Sequence, residues 1–297
     1  MSTTFSLEGK NAVVTGLSTG IGRAIAEALA REGANVGGDY QKDAEGAAIA
    51  RGLIEGHGRE ALILQGSTAD EAHIDDMADQ VVERWGSLDI WVNNAARIFV
   101  KPFLELETEE WHGLLAANLH GYMYGCRAAA RRMARQDGPG RIINITSQSD
   151  IQAINGFSAY ITAKGGINGL TRVLALELAD YDITVNSVSP GPTDTPLNKT
   201  AWTPKARATY VERIGLHRIS VPEETADVVC FVASHASRFM TGQEIVVDGG
   251  LSINGNVGHA ETDIEGGKVR PYHASLSTTR RFLRRRIGPF LMPWPRP

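Results

Sequence analysis

Cysteine is nearly absent from this chain of 297 residues: there are two, Cys126 and Cys230, each inside an apolar stretch of helical character. Two such residues are too few for a disulfide framework and lack the spacing of a metal site, so a reducing compartment is expected. No apolar run approaches the roughly 18 residues needed to span a bilayer. The start, Met1-Ser-Thr-Thr-Phe-Ser-Leu-Glu8, has no basic flank followed by an apolar run, which argues against a secretory signal. Both absences make a cytoplasmic protein the expectation. His120, His217 and His235 share no ligand spacing, and surface or packing roles are expected for them instead of metal binding.

Acidic residues are missing from the chain's end. Residues 266–297 hold eight Lys/Arg and no Asp/Glu, so the net charge of −4 leaves −12 for residues 1–265. An acidic body argues against a nucleic-acid groove there. The end contains Arg280-Arg-Phe-Leu-Arg-Arg-Arg286 and Pro293-Trp-Pro-Arg-Pro297. Clustered Arg attracts the phosphates of nucleic acid or an anionic membrane. Phe282, Leu283 and Ile287, however, give this segment too little apolar surface to fold alone. Residues 254–297 are therefore expected to be a basic, Pro-containing, disordered extension.

What the rest contains is regular alternation. Asn11-Ala-Val-Val-Thr15 is a short apolar run stopped by Gly16, the pattern of a strand buried on both faces. Ile21, Ile25, Ala28 and Leu29 then recur at helical spacing, and Gly33 closes that helix. Residues 34–39 suggest a second strand, weakened by Gly37 and Gly38. Further strands are predicted at 61–65, 88–93, 141–146, 183–188 and 243–248, and helices at 43–56, 70–85, 107–136, 158–180 and 222–235. Such β-α repetition implies parallel strands joined by right-handed crossovers. The expectation is an α/β protein with a Rossmann-type, doubly wound parallel sheet, helices on both faces, and a single domain over residues 1–253. A sheet of this kind binds ligands beyond the carboxyl ends of its strands.

Between the first strand and helix lies Thr15-Gly-Leu-Ser-Thr-Gly-Ile-Gly22. Gly16, Gly20 and Gly22 permit a tight turn, close approach of a pyrophosphate and close helix–sheet packing. Free N–H groups at the helix start, here those of residues such as Gly20 and Ile21, favour phosphate, and Ser18 and Thr19 add hydroxyls. A glycine-rich turn without a ligand is the competing reading. Tyr160 and Lys164, four apart on a predicted helix, share one face. A free phenol has a pKa near ~10, and an adjacent ammonium would lower it toward a useful acid or base.

These motifs resemble the short-chain dehydrogenase/reductase family, and Lys164-Gly-Gly-Ile167, Leu176-Glu-Leu-Ala179 and Pro222-Glu-Glu224 look most like its glucose 1-dehydrogenase-like and sugar or polyol members. The spacing TGLSTGIG, Asn93-Asn94-Ala95-Ala96 after the fourth strand, Asn118 in Ala-Asn-Leu-His-Gly, Ser147 in Asn-Ile-Thr-Ser, and Tyr-Ile-Thr-Ala-Lys at 160–164 carry the likeness. Ser189-Pro-Gly-Pro-Thr-Asp-Thr195 and Val247-Asp-Gly-Gly250 extend it, so that it spans about residues 7–253.

The resemblance implies an NAD- or NADP-dependent oxidoreductase that interconverts a secondary alcohol, among them a sugar or polyol hydroxyl, and a carbonyl. It gives Tyr160 the role of general acid/base, Lys164 the nicotinamide ribose, Ser147 the substrate oxygen and Asn118 a proton-relay water. Asn94 would face the cofactor, and Gly191 through Thr193 would hold the carboxamide, with Thr195 as an added hydroxyl. Such enzymes are usually homo-oligomers, and a dimer or tetramer is expected.

Two departures bear on the nucleotide. Asp39, in Gly38-Asp-Tyr-Gln-Lys42, suits NAD if it reaches the ribose, while Lys42 suits a phosphate. Ser67 stands where relatives commonly have Asp near the adenine. Residues 196–216 follow the nicotinamide turn and read as a lid. Asp150 and Gln152 are candidates for substrate hydroxyls. The same scaffold also carries epimerases and lyases, and a nucleotide-sensing protein would retain the cofactor pocket alone.

Overall fold

Asn11-Ala-Val-Val14 shows no polar–apolar alternation, and all four residues are buried, because helices cover both faces of the strand they form. The computed structural model describes residues 5–254, so the extension expected beyond Asn254 lies outside the described residues. Strand β1 (Asn11–Val14) leads into α1 (Gly20–Arg31), β2 (Asn35–Tyr40) into α2 (Ala44–Gly56), and β3 (Ala61–Gln65) into α3 (Glu71–Trp85). Next, β4 (Ile90–Asn93) is followed by α4 (Thr108–Leu115) and α5 (Gly121–Met133), and β5 (Gly140–Ile145) by α6 (Ser158–Glu177). Finally, β6 (Ile183–Pro190) precedes α7 (Pro196–Ala201), α8 (Pro204–Arg213) and α9 (Pro222–Ala233), and β7 (Glu244–Val247) completes the sheet.

Among the described residues the strands form one parallel sheet in the order β3-β2-β1-β4-β5-β6-β7. The order reverses between β1 and β4, which opens a crevice at their carboxyl ends. One apolar cluster joins Ile25, Leu29, Ile54 and Val229 from α1, α2 and α9 to the sheet. A second joins Ile74, Met77, Val81, Cys126 and Met133 from α3 and α5 to the opposite face. The doubly wound architecture expected from the alternation is what these two clusters hold together. No described helix is long and apolar enough to cross a membrane.

Three local features differ from, or refine, the sequence reading. Gly37 and Gly38, expected to weaken β2, are required by crowding. A Cβ on Gly38 would lie 2.1 Å from the Val14 carbonyl oxygen and 2.4 Å from a Leu17 methyl, and one on Gly37 would lie 2.8 Å from Val81. The single helix predicted over 107–136 is instead broken: a π turn, Ala116–His120, separates α4 from α5. Such a turn widens the helix locally and re-aims side chains, a device common at functional sites. The expected lid is two short helices, α7 and α8, each opening with Pro in its first turn behind a Thr cap: Thr195 accepts from the Asn198 N–H and Thr203 from that of Ala206.

The crowding at Gly38 gives a direct test. Gly38→Ala must displace backbone, not a flexible side-chain end, so it should cost about 1–3 kcal/mol, as overpacking does. The check is the urea midpoint at constant m-value, and an unchanged midpoint would show that β2 has room to spare.

Candidate active site

The first βα turn is built for an anion. Gly16 and Gly20 adopt left-handed backbone (φ 67° and 55°), which only glycine takes without strain. A Cβ on Gly22 would lie 2.3 Å from the Gly16 carbonyl oxygen, so the helix start can press against the turn only without one. Thr19 precedes α1 in extended conformation and its side chain caps no N–H. The first-turn amides of α1 are thus left for a ligand, with the positive end of the helix dipole behind them. Gly16, Thr19, Gly20, Ile21 and Gly22 all line a cleft of about 410 Å³ at the carboxyl end of the sheet. A glycine cradle that a Cβ would fill and a helix start without a cap fit the diphosphate of a dinucleotide.

The same cleft is lined by Asn94, Ser147, Tyr160, Lys164, Gly191, Thr193 and Thr195, so most of the residues singled out from the sequence meet here. Asn94 works through the turn: its Nδ2 donates to the Thr15 carbonyl at 2.9 Å, and its own N–H donates to Thr15 Oγ1 at 2.9 Å. Its neighbour Asn93 points into the core instead, between Trp91 Nε1 and Asn144 Oδ1. Gly191 must be glycine because a Cβ would meet Asp248 Cα at 2.7 Å. Across the cleft a Cβ on Gly20 would lie 3.3 Å from Thr195, so the start of α7 passes over the glycine turn.

Several expected contributors sit elsewhere. Asp39 does not reach the cleft: it is 2% exposed, its Oδ1 accepts from the Gly16 N–H at 2.7 Å and its Oδ2 lies 3.3 Å from His73 Nε2. Strand side chains alternate, and the face Asp39 takes lies beneath the turn, so the expected ribose contact is corrected to a support of the turn. Its backbone carbonyl also accepts from the Leu17 N–H. Ser18 is buried and, like Ser67, is not among the cleft residues; the Ser67 hydroxyl accepts from the Ala69 N–H in a local turn. Asn118 is wholly buried in the π turn, with Oδ1 and Nδ2 both engaged by the Arg97 backbone at 2.8 Å. Its amide is therefore spent on holding the segment after β4. Asp150 accepts from Asn168 Nδ2, and Gln152 donates to the Leu251 and Ser252 carbonyls at 3.0 Å.

Lys164 is 1% exposed. Its Nζ donates to the Ile145 carbonyl at 2.7 Å and to the Tyr122 hydroxyl at 3.0 Å, and stands 5.6 Å from the Tyr160 ring centre. Tyr122 escaped the sequence reading. It lies four residues after Asn118 in the same helical stretch, and that i, i+4 spacing was the available signal. Burial holds the Tyr122 phenol well above its ordinary value, so it faces the amine as a neutral group. Burial also pushes Lys164 down to about 7, with Asp150 acting in the other direction. The lowering expected for Tyr160 is reversed: burial pushes it up to about 12, against hydrogen bonding from Ser147, with Asp150 adding to the rise. Burial also keeps Lys164 only partly charged near pH 7, so it offers Tyr160 less counter-charge than the pairing suggested. The buried Cys126 and Cys230 thiols are likewise pushed up to about 12, which leaves them unreactive.

Known proteins match this chain over most of its described length. A family model described as enoyl-(acyl carrier protein) reductase matches residues 16–252. The chain is 36% identical over 248 residues to the 3beta-hydroxysteroid dehydrogenase 1 of Eggerthella lenta, covering 83% of this chain and 95% of that protein. It is 33% identical over 250 residues to glucose 1-dehydrogenase 2 of Bacillus subtilis, covering 83% and 96%. The crystal structure of a short chain dehydrogenase from Burkholderia cenocepacia in complex with NADP superposes with a TM-score of 0.78 at 35% identity, covering 82% of this chain and 98% of that one.

Two pH dependences follow. A Lys whose folded pKa lies below its ordinary 10.5 burdens the folded state most where it is charged, at and below about pH 7. Lys164→Met should therefore raise the urea midpoint most below about pH 7, the gain fading toward pH 10.5; Ile145 keeps the Tyr122 hydroxyl as donor at 2.9 Å. A midpoint that falls at all pH values would refute this. For His73 the sign is opposite. Asp39 raises it above its ordinary 6.5, so its stabilisation is complete below about pH 6.5 and is lost as pH rises through the folded value. His73→Gln should thus destabilise at pH 6 and much less at pH 9, read from paired denaturant titrations.

Proposed function

The chain belongs to the short-chain dehydrogenase/reductase family, oxidoreductases acting on CH–OH groups, and from this premise we propose that it interconverts a secondary alcohol and a carbonyl at Tyr160. The observation that carries the proposal is the convergence of Ser147, Tyr160 and Lys164 with the glycine turn on one cleft. When bound, NAD or NADP supplies the hydride acceptor or donor. The α1 amides and Gly16–Gly22 would hold its diphosphate, Lys164 its nicotinamide ribose, and Gly191–Thr193 its carboxamide. Asp39 is engaged beneath the turn by Gly16 and His73, while Lys42 and Asp43 are both exposed beyond it. The cofactor is NAD or NADP.

In the reducing direction the Tyr160 phenol, kept protonated by burial, gives its proton to the carbonyl oxygen while Ser147 donates a hydrogen bond to the same atom. In the oxidising direction the acceptor of the hydroxyl proton is the Tyr160 phenolate, formed by prior loss of the phenol proton to solvent and favoured by the charge that Lys164 retains. Asn118 acts as a positioning residue: by clamping the Arg97 backbone it fixes the cleft wall at Ile98 and Phe99. A sugar or polyol hydroxyl is one form of substrate and an apolar alcohol another. The exposed Val173 and Leu176 on α6 support assembly as a homo-oligomer, a dimer or tetramer.

Tyr160→Phe removes only the transferable proton. It should lower kcat by roughly 10²–10⁴ in a nicotinamide-absorbance assay while nucleotide binding by fluorescence stays within a few-fold. Unchanged turnover would remove Tyr160 from the chemistry.

A further inference from the structure

Beyond Tyr160 the cleft changes character. The wall facing the reaction end consists of Phe99, Val100, Ile154, Phe157, Leu197 and Trp202. Trp202 and Tyr210 stack at 5.1 Å between ring centres, and Phe157 meets Tyr160 edge-on at 6.1 Å. A sugar or polyol needs a polar partner for each hydroxyl it brings out of water. Several polar side chains of the cleft are engaged by the protein itself: Ser147 and Ser149 bond each other, Thr193 bonds Ser220, and Asn198 donates to the Thr193 carbonyl.

A second chamber adjoins the first and shares Gln148, Ile154 and Tyr210 with it. Its rim carries Lys205 and Arg213, and among the described residues no Asp or Glu lines it. The ten-residue helix α8 turns its first-turn residues, Thr203, Lys205 and Ala206, toward this chamber, and that turn contains no acidic residue. Its positive dipole end therefore adds to Lys205, while Arg213 closes the last turn of the same helix. At the junction of the two chambers, Gln148 is 5% exposed and its Oε1 is buried with no hydrogen-bond partner among the described residues. A buried acceptor of this kind costs stability until a donor meets it.

We infer that the substrate is an elongated, amphipathic secondary alcohol or its ketone: an apolar body lies along Phe99, Phe157 and Trp202, and an anionic head reaches Lys205 and Arg213. The inference rests on the oxidoreductase reading and narrows its substrate. The apolar body gains by leaving water against an aromatic wall. The head is drawn by two cations and a helix start from which acidic groups are absent, and a donor group at the bend meets Gln148. A compact polyol uses neither chamber fully.

The test compares lithocholate, its neutral methyl ester and sorbitol, each with NAD and NADP. The expected order of kcat/KM is lithocholate, then the ester, then sorbitol, with the lithocholate KM rising with salt and the ester KM not. In Lys205→Glu/Arg213→Glu, both exposed positions, the preference for lithocholate over the ester should fall at least about 10-fold, through KM and not kcat. Trp202→Ala should raise KM for both steroid probes, with a thermal melt confirming the fold. Sorbitol turned over best, or a lithocholate preference indifferent to charge reversal and salt, would overturn this inference alone. No turnover of any of the three, or of simple secondary alcohols and ketones, would overturn the oxidoreductase reading with it.

Discussion

A lysine amine held out of water, between a carbonyl oxygen and a neutral phenol, is the interaction around which the site is organised. Among the described residues Lys164 has no carboxylate in hydrogen-bonding contact: its partners are Ile145 O and Tyr122 Oη. Burying a charge in that company is costly, and the cost appears as a pKa near 7. The placement has a consequence for Tyr160, whose ring lies 5.6 Å from the amine. A half-neutralised amine does not drag the phenol into ionisation, so the resting site holds an acid and a weakly charged neighbour in one cleft.

Backbone crowding does for the nucleotide end what burial does for the reacting end. Gly22 lets α1 press on the glycine turn, Gly38 lets β2 run under it, and Gly191 lets the β6 exit pass against Asp248. Each removes a Cβ where two backbones approach, which is a steric demand and not a matter of flexibility. Asp39 belongs to the same arrangement. A carboxylate placed where it could greet a ribose is instead folded beneath the turn, where it accepts from Gly16 and meets His73 from α3. Three segments that meet at the sheet's carboxyl edge, from β1, β2 and α3, are thereby tied by one side chain.

How much of this the sequence discloses depends on the range of the interaction. The strand and helix alternation is local patterning, and it placed the sheet and the two covering layers. Gly16, Gly20, Ser147, Tyr160, Lys164 and Thr195 were legible because each follows a strand or shares a helix face with another polar group. What was hidden is set by parity and by contacts distant in sequence. Asp39 sits one residue from Tyr40, and that step decides which face it takes. Asn118 reads as a helix-borne polar group until the π turn hands its amide to Arg97, 21 residues away. Tyr122 stays inconspicuous because its meaning comes from Lys164, 42 residues downstream. The sign of the Tyr160 shift was hidden for the same reason: burial is a property of the whole fold, and it outweighs one neighbouring charge.

The division of labour between the cleft's two ends follows from these constraints. The inner end cannot vary much, because any added polar group near Lys164 would change the balance of burial and charge that sets its pKa. The outer end is carried by α7 and α8, short helices capped by Thr195 and Thr203 and joined to the body chiefly through Ile214, Ile219 and Leu251. Side chains there can be exchanged without touching the sheet or the buried amine. On the proposed reading, selectivity for the alcohol resides in Trp202, Tyr210 and their neighbours, and Phe157, edge-on to Tyr160, is where that wall meets the proton donor.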